Sequence, residues 1–250
     1  MKDPARKQVR TFAEKREVRE YFKNKKNGIF VEVGAHEPTS AESQSWHLEK
    51  ELDWSGILVE PNPELSRQAQ QLRPNATVYQ CACTSPDKTG ILSLYIPIKN
   101  NDLITSHASL RKNADDFSYT RHKAVSVEAV TLNSLLEKSG IESIDLLSID
   151  VEGTEMEVME GFDLKKFAPA LILLEDKLLY LEKHRYLKNN GYMLVKRTKQ
   201  NNWYIPKTGS RPPSTIREKI KLLKKLYISI WLRKIKFAIK SKSPEPLFRI

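Results

Sequence analysis

The 250-residue chain is poor in the features that mark several common classes of protein. It has only two cysteines, Cys81 and Cys83, which are too few for a zinc site and too close for an ordinary structural disulfide. They predict a reducing, cytoplasmic compartment. No apolar run approaches the ~20 residues that a membrane-spanning helix needs, and the sequence opens without a charged-then-apolar leader. The glycine fingerprint of dinucleotide-binding proteins is absent too, so a dehydrogenase is the weakest candidate.

Acidic residues are nearly missing from the end of the chain. Between residues 211 and 242 the sequence has eleven Lys or Arg and one acid, so this segment carries +10 of the formal net charge of +11. The rest of the chain is therefore close to neutral. A protein that grips nucleic acid over its whole catalytic face would spread its positive charge, so this distribution makes nucleic acid an unfavoured partner.

The chain does contain a regular alternation of β-type apolar runs and helical patterns. Predicted strands are 29–33, 56–60, 77–81, 144–150 and 170–175, and predicted helices are 41–52, 63–72, 132–138, 154–159 and 178–190. A closing antiparallel hairpin is predicted over 191–207, with Asn201 and Asn202 at its turn. This order is typical of an α/β fold with a doubly wound, mixed and mainly parallel sheet. We expect a basic helical segment at 1–27, a domain at 28–210 and a tail at 211–250.

Residues 99–123 interrupt the alternation, since they are polar and show no clean period. Long connections of this kind in open α/β sheets often carry substrate-binding residues. We therefore predict a substrate loop here, and a surface insertion without function is the alternative.

Polar residues gather where the predicted parallel strands end, and ligands of such sheets bind outside those carboxyl ends. The first strand ends in VEVGAHE, where Gly34 is the single glycine and no others follow to hold a phosphate. The second ends in VEPNP, where Glu60 stands 28 residues after Glu32, at a position where a carboxylate commonly binds ribose hydroxyls. A ligand for this edge needs a ribose, a base and a positive charge but no phosphate, and S-adenosylmethionine has these properties.

These segments also resemble a known family. VEVGAHE, LEKELDWSGILVEPNP, TLNSLLEKSGIESIDLLSIDVEGTEMEVMEG and LILLED follow one another as in the FkbM-type methyltransferases, over residues 28–206. The resemblance implies a Rossmann-like class I methyltransferase fold, S-adenosylmethionine as the cofactor, and O-methylation of a hydroxyl on a sugar or secondary metabolite. It also implies a set of cofactor-binding residues, namely Glu32, Gly34, Ala35, Glu60, Pro61, Asn62, Cys81 and Ala82.

Methyl transfer to a hydroxyl is helped by a base that accepts the hydroxyl proton. Asp150, at the tip of the fourth predicted strand, is the first candidate. His36 is the second, because an imidazole that is neutral near pH 7 suits proton abstraction, and His107 and His122 in the predicted loop are the third. The resemblance also implies that Glu152 faces the transferred methyl group. Contacts with the substrate are expected from His107, Ser109 and Glu175.

An Mg²⁺ ion is an alternative way of activating the hydroxyl. Its oxygen ligands would come from four acids at strand ends, namely Asp150, Glu152, Glu175 and Asp176. A cationic cofactor explains the same acids equally well. S-adenosylmethionine alone is therefore favoured, and no metal site is predicted.

The tail has the pattern of a basic amphipathic helix over residues 216–240. One apolar line begins at Ile216 and a second, offset line begins at Ile228, so we expect two offset helical halves or a bend. The longest apolar run is too short to span a bilayer, and a basic helix with Trp and Tyr is typical of an anchor on an anionic membrane surface. Packing on its own domain or on a second subunit is one alternative, and nucleic acid binding is another.

Together these patterns predict a sugar O-methyltransferase that acts on a lipid-linked or cell-surface glycan at the inner face of a membrane. An RNA 2′-O-methyltransferase is the nearest alternative, since it would use the same cofactor and the same chemistry. A non-catalytic adaptor that keeps the methyltransferase fold is the alternative from a different class. The patterns leave a homo-oligomer open.

Overall fold

The helices and strands fall into two units, residues 1–169 and 170–250. The structure is a computed structural model that describes residues 4–112, 119–176, 180–198 and 201–241. The first unit contains α1 (Pro4–Tyr21), β1 (Ile29–Val33), α2 (Trp46–Leu52), β2 (Ser55–Val59), α3 (Pro63–Leu72), β3 (Ala76–Tyr79), β4 (Ala82–Cys83), β5 (Gly90–Lys99), β6 (Asp102–Leu103), β7 (Arg121–Val130), α4 (Leu132–Lys138), β8 (Leu146–Ile149), α5 (Glu155–Glu160) and α6 (Leu164–Phe167). The second contains β9 (Leu171–Glu175), α7 (Glu182–Asn189), β10 (Tyr192–Thr198), β11 (Asn201–Pro206), α8 (Ile216–Leu223) and α9 (Ser229–Ser241).

A parallel sheet organises the first unit, with its strands in the order β3-β2-β1-β8. Val31 of β1 pairs with Ile57 of β2 on one side and with Leu147 of β8 on the other. These side chains are fully buried, as expected for parallel strands that are covered on both faces. The four predicted strands of this sheet are confirmed, and β1 has the predicted bounds. Their carboxyl ends lie along one edge.

A second sheet in this unit, with the order β4-β7-β5-β6, was not predicted. Its long strands β5 and β7 are antiparallel, with Tyr95 opposite Ala124. Leu94, Ile96 and Val127 form part of its own apolar cluster. The predicted substrate loop at 99–123 is therefore the connection between these two strands and includes their ends. Residues 113–118 of that loop lie outside the described residues.

Side-chain caps determine where two helices of the first unit begin. α3 and α4 have the predicted bounds because Asn62 and Thr131 accept hydrogen bonds from backbone N–H groups of the first turn. The prediction that the preceding helix begins at residue 41 is wrong, since α2 begins at Trp46. Residues 43–45 are held outside the helix because they donate hydrogen bonds to the buried carboxylate of Glu32.

The second unit contains the predicted antiparallel hairpin, in which β11 pairs with both β10 and β9. The predicted turn at Asn201 and Asn202 is wrong, because both residues belong to β11 and Asn201 lies opposite Thr198. The Asn202 side chain donates to the carbonyl oxygens of Leu174 and Asp176, which holds it inside the sheet. Residues 199–200, between the strands, lie outside the described residues, as do 177–179 ahead of α7.

The tail forms one long helical segment, residues 216–241, which we call the tail helix. Thr215 and Glu218 start it with a reciprocal capping box. A π-helical segment, Lys224–Ile228, lies between α8 and α9, so the tail has two helical halves within one continuous helical segment. Within the described part of the chain, we find no helix with the length and apolar character needed to cross a membrane.

Candidate active site

Glu60 follows β2 directly, and only 5% of it is exposed. One carboxylate oxygen accepts a hydrogen bond from the backbone N–H of His36 at 2.7 Å, and the other accepts one from Asn62 at 2.8 Å. Burial raises the pKa of Glu60 to about 7, although both hydrogen bonds act to lower it. A carboxylate has about four lone-pair sites, so two remain for a ligand.

The turn after β1 crosses close to the turn after β8. Gly34 has a φ of +84°, and a Cβ at this position would lie 1.8 Å from the carbonyl oxygen of Asp150. The backbone N–H groups of Gly34 and Ala35 both donate to the carbonyl of Val59, at 2.9 and 3.1 Å. Only glycine fits this positive φ and this close approach. The single glycine of VEVGAHE is therefore required by the crossing of the two turns.

His36 sits on the same turn, half-buried and with a φ of +49°. Its Nε2 lies 3.1 Å from Oγ1 of Thr105, a residue of the predicted substrate loop that the sequence patterns did not single out. Burial lowers the pKa of His36 below 6.5, against the opposing charges of Glu37 and Glu42. The imidazole is therefore neutral at pH 7 and able to accept a proton.

Asp150 and Glu152 lie on the turn after β8, with carboxylate oxygens within 4.8 Å of one another. Asp150 is exposed, and its backbone N–H donates to the carbonyl of Val33 at 3.0 Å. Glu152 is half-buried with a φ of +54°, and its carbonyl accepts the Ser109 hydroxyl at 2.8 Å. The side chain of Asp150 is thus accessible at the strand-end edge. Ser109 attaches the substrate loop to the same turn.

Aromatic and imidazole rings gather in and beside the substrate loop. Nδ1 of His107 lies 2.7 Å from the hydroxyl of Tyr119, and His122 makes edge-to-face contacts with Tyr119 and Tyr95. The charge of His107 also lowers the pKa of His36, a smaller effect than burial, so the two residues interact. The structure therefore brings the loop to the strand-end turns.

Glu32, expected at the methionine end of the cofactor, has its carboxylate turned toward the segment before α2. It accepts hydrogen bonds from Ser43 Oγ at 3.0 Å, from Gln44 N at 2.6 Å, and from Ser45 N and Oγ at 3.3 and 2.5 Å. Burial lowers the pKa of nearby Lys15, and the charge of Glu32 opposes that shift. The expected cofactor contact of Glu32 stays a prediction.

Cys81 and Ala82, expected beside the adenine, lie beyond the end of β3 at Tyr79. Ala82 belongs instead to β4, where it pairs with Ala129 and joins the apolar cluster of the second sheet. Burial raises the pKa of Cys81 to about 12, so its thiol stays protonated. Both residues have a packing role here, and their contact with the base stays a prediction.

The remaining expected residues are placed as follows. Asn62 caps α3, with its Oδ1 accepting the backbone N–H of Glu64 at 3.0 Å, and half-buried Pro61 stands between it and Glu60. Glu175 ends β9 in the second unit, opposite Asn201. The structure thus brings Gly34, His36, Glu60 and Asp150 to one edge, along with Glu152 and the substrate loop.

Comparison with known proteins gives one family match. Residues 32–194, more than half of the chain, match the family described as the methyltransferase FkbM domain. No curated protein matches the sequence. Among solved structures, the methyltransferase domain of METTL16 has a TM-score of 0.43 and 9% identity, over 77% of this chain and 65% of that one. Precorrin-6y C5,15-methyltransferase from Geobacter metallireducens GS-15 has a TM-score of 0.39 and 10% identity, over 76% of this chain and 85% of that one.

Proposed function

Because the chain belongs to the FkbM methyltransferase family, we propose that it transfers the methyl group of S-adenosylmethionine to a hydroxyl oxygen of a sugar. The observation that carries this proposal is the enclosed carboxylate of Glu60 at the end of β2. Two of its lone-pair sites accept backbone N–H groups, and the two that remain match the two hydroxyls of a ribose. The neighbouring turn has a single glycine, Gly34, and thus no phosphate cradle. The residues present therefore fit this cofactor.

The chain's own part in the reaction is to orient the acceptor and remove its proton. When bound, S-adenosylmethionine supplies a methyl group whose bond to sulfur breaks as the bond to the acceptor oxygen forms. Asp150 is the proposed proton acceptor, because its carboxylate is exposed at the strand-end edge. His36 is the alternative, since its imidazole is neutral at pH 7. Glu152 adds a second negative charge near Asp150, which favours a cationic ligand at this edge.

The substrate loop supports a sugar as the acceptor. His107, Tyr119 and His122 supply imidazole and hydroxyl groups that donate and accept hydrogen bonds, as a polyhydroxylated ligand requires. Nδ1 of His122 is buried with no hydrogen-bond partner among the described residues, so a substrate or a water is needed to satisfy it. The predicted substrate contacts of His107 and Ser109, both in the first unit, belong to this assignment.

The test combines cofactor binding with turnover. S-adenosylmethionine is titrated by calorimetry, and release of S-adenosylhomocysteine is then measured with a panel of sugar glycosides. Asp150→Asn should weaken cofactor binding only modestly, because Glu152 keeps a negative charge at this edge, and should lower turnover at saturating cofactor by about 10²- to 10⁴-fold, since it removes the proton acceptor. If His36 is the acceptor, His36→Gln shows the larger loss instead. Glu160→Gln, which removes an exposed carboxylate of α5, is the control and should alter neither property.

The other outcomes assign a different function. Cofactor binding with turnover on RNA, and none on any sugar, would replace the sugar with an RNA 2′-hydroxyl. A wild-type protein that does not bind the cofactor would contradict the methyl transfer and leave the non-catalytic adaptor.

A further inference from the structure

The tail helix carries most of the exposed apolar side chains in the described part of the protein. Twelve large apolar side chains are exposed among the residues whose burial is described, and nine of them lie on this helix. Such a concentration marks an interaction surface, because single exposed apolar residues are normally scattered. The nine side chains, which we call the apolar stripe, are Ile216, Ile220, Leu223, Tyr227, Ile228, Trp231, Leu232, Ile235 and Ile239.

The π-helical segment brings these residues into line. In the sequence they form two lines, beginning at Ile216 and at Ile228, and a regular α-helix would set the two lines about 110° apart. A π-helical turn accommodates one extra residue and so rotates the helix after it back by about 100°. The two lines therefore merge into one stripe, in which Trp231 and Ile235 of α9 are 59% and 47% exposed.

The tail helix packs through a different face. Leu226, Ile230 and Lys234 follow one another at intervals of four residues and are at most 7% exposed. The ammonium of Lys234 lies 5.8 Å from the ring centroid of Tyr180 in the same unit. Packing of the tail helix on its own unit thus leaves the apolar stripe uncovered. The expected membrane docking and the alternative of packing on its own domain are therefore compatible.

We propose that the apolar stripe docks on the surface of an anionic lipid bilayer. Residues 216–241 hold nine Lys or Arg and one acid, a net charge of +8. That acid, Glu218, is engaged by Thr215 in the capping box, and Arg217, Lys219 and Lys221 are exposed around the stripe. A basic helix lying in the interface buries its apolar face while its cations meet anionic headgroups. A second copy of the chain would bring the same positive charge against this face, which disfavours a symmetric dimer.

The intact protein should co-sediment with vesicles of phosphatidylcholine and phosphatidylglycerol at physiological ionic strength, and much less with phosphatidylcholine alone. Ile220→Ser/Trp231→Ser removes two side chains of the apolar stripe and should weaken partitioning by about tenfold or more. The matched control, Leu72→Ser/Ile91→Ser, removes two exposed apolar side chains of the first unit and should partition like the wild type. Circular dichroism of each variant shows whether the tail helix persists.

Tryptophan fluorescence reports on the same face. Trp54 and Trp203 are fully buried and Trp46 is half-buried, whereas Trp231 is 59% exposed. Vesicles should therefore shift the emission to shorter wavelength through Trp231, and Trp231→Phe should keep the binding and lose the shift. No binding by the wild type, an equal loss in both double variants, or a dimer that Ile220→Ser/Trp231→Ser dissociates would overturn the proposal. Because no turnover is measured, such a failure would leave the proposed methyl transfer unaffected.

Discussion

Substitution of Glu60 should weaken cofactor binding by an amount that follows from the two hydrogen bonds that its carboxylate would accept from the ribose. A hydrogen bond from a hydroxyl to a carboxylate contributes about 1.5–3 kcal/mol. Glu60→Ala removes two such acceptor sites, so it should weaken binding of S-adenosylmethionine by about 3–6 kcal/mol, or about 10²- to 10⁴-fold in Kd. Glu60→Gln keeps one oxygen but sets an NH₂ group against a backbone N–H of His36 or Asn62. Its loss should be smaller, about 10- to 100-fold.

The raised pKa of Glu60 adds a pH dependence with a defined sign. Ribose hydroxyls donate to the ionised carboxylate, so the cofactor binds the deprotonated form and binding strengthens as the pH rises through about 7. At a pKa of about 7, the ionised fraction of the free protein is about one tenth at pH 6 and about nine tenths at pH 8. The Kd should therefore fall about tenfold between these two pH values. Glu60→Gln has no titrating carboxylate at this position, so its Kd should not show this change of about tenfold between pH 6 and pH 8.

Isothermal titration calorimetry at both pH values checks this prediction. Buffers of different ionisation enthalpy also count the protons released on binding, which should be close to one near pH 6. The cofactor's own ionisations are the same for both proteins, so the difference between wild type and Glu60→Gln isolates the carboxylate. An equal pH effect in both proteins, or wild-type affinity in Glu60→Ala, would refute the ribose contact.

Two further predictions concern a turn and a buried ion pair. Gly34→Ala puts a Cβ 1.8 Å from a backbone carbonyl oxygen and should abolish cofactor binding. Gly140→Ala, with open space around it, should cost about 1–2 kcal/mol of stability and leave binding intact. Equal effects of the two substitutions in calorimetry and thermal denaturation would contradict this prediction. Arg73→Met or Glu49→Gln breaks a buried ion pair of 2.5 Å and should lower the free energy of unfolding by about 3–5 kcal/mol, or the Tm by about 6–20 °C. Lys166→Ala removes one member of an exposed ion pair and should cost under about 1 kcal/mol. Similar losses of stability for both pairs would contradict this prediction.

Local sequence patterns were sufficient to predict the strands of the parallel sheet and the helices that begin at a side-chain cap, because buried apolar runs and capping residues act over a few positions. α3 and α4 are the clearest cases, since Asn62 and Thr131 fix where each helix begins. β5 and β7 are only partly buried, so their signal is alternation and not a continuous apolar run. In β7 the exposed Ser126 and Glu128 alternate with the buried Val127 and Ala129, so this strand was detectable from the sequence although it was not predicted.

The candidate site was predictable where it depends on the ends of parallel strands. Gly34, Glu60 and Asp150 meet because β1, β2 and β8 share an edge, which the order of the elements already implies. The contact between His36 and Thr105 joins residues 69 positions apart and depends on the second sheet. A loop with no period gives no indication of which of its residues will reach the strand ends, so Thr105 had no signal in the sequence.

Glu32 and Glu60 look alike in the sequence, since both are carboxylates near the ends of neighbouring strands. In the structure they differ in how many of their acceptor sites are already used by hydrogen bonds within the protein. Glu32 accepts four hydrogen bonds from residues 43–45, three at Oε2 and one at Oε1, so at most one site, on Oε1, remains. Glu60 accepts two, both from backbone N–H groups that hold it in place. We therefore expect Glu32 to fix the path of the chain into α2 and to offer a ligand at most one acceptor site, and Glu60 to receive the pair of ribose hydroxyls.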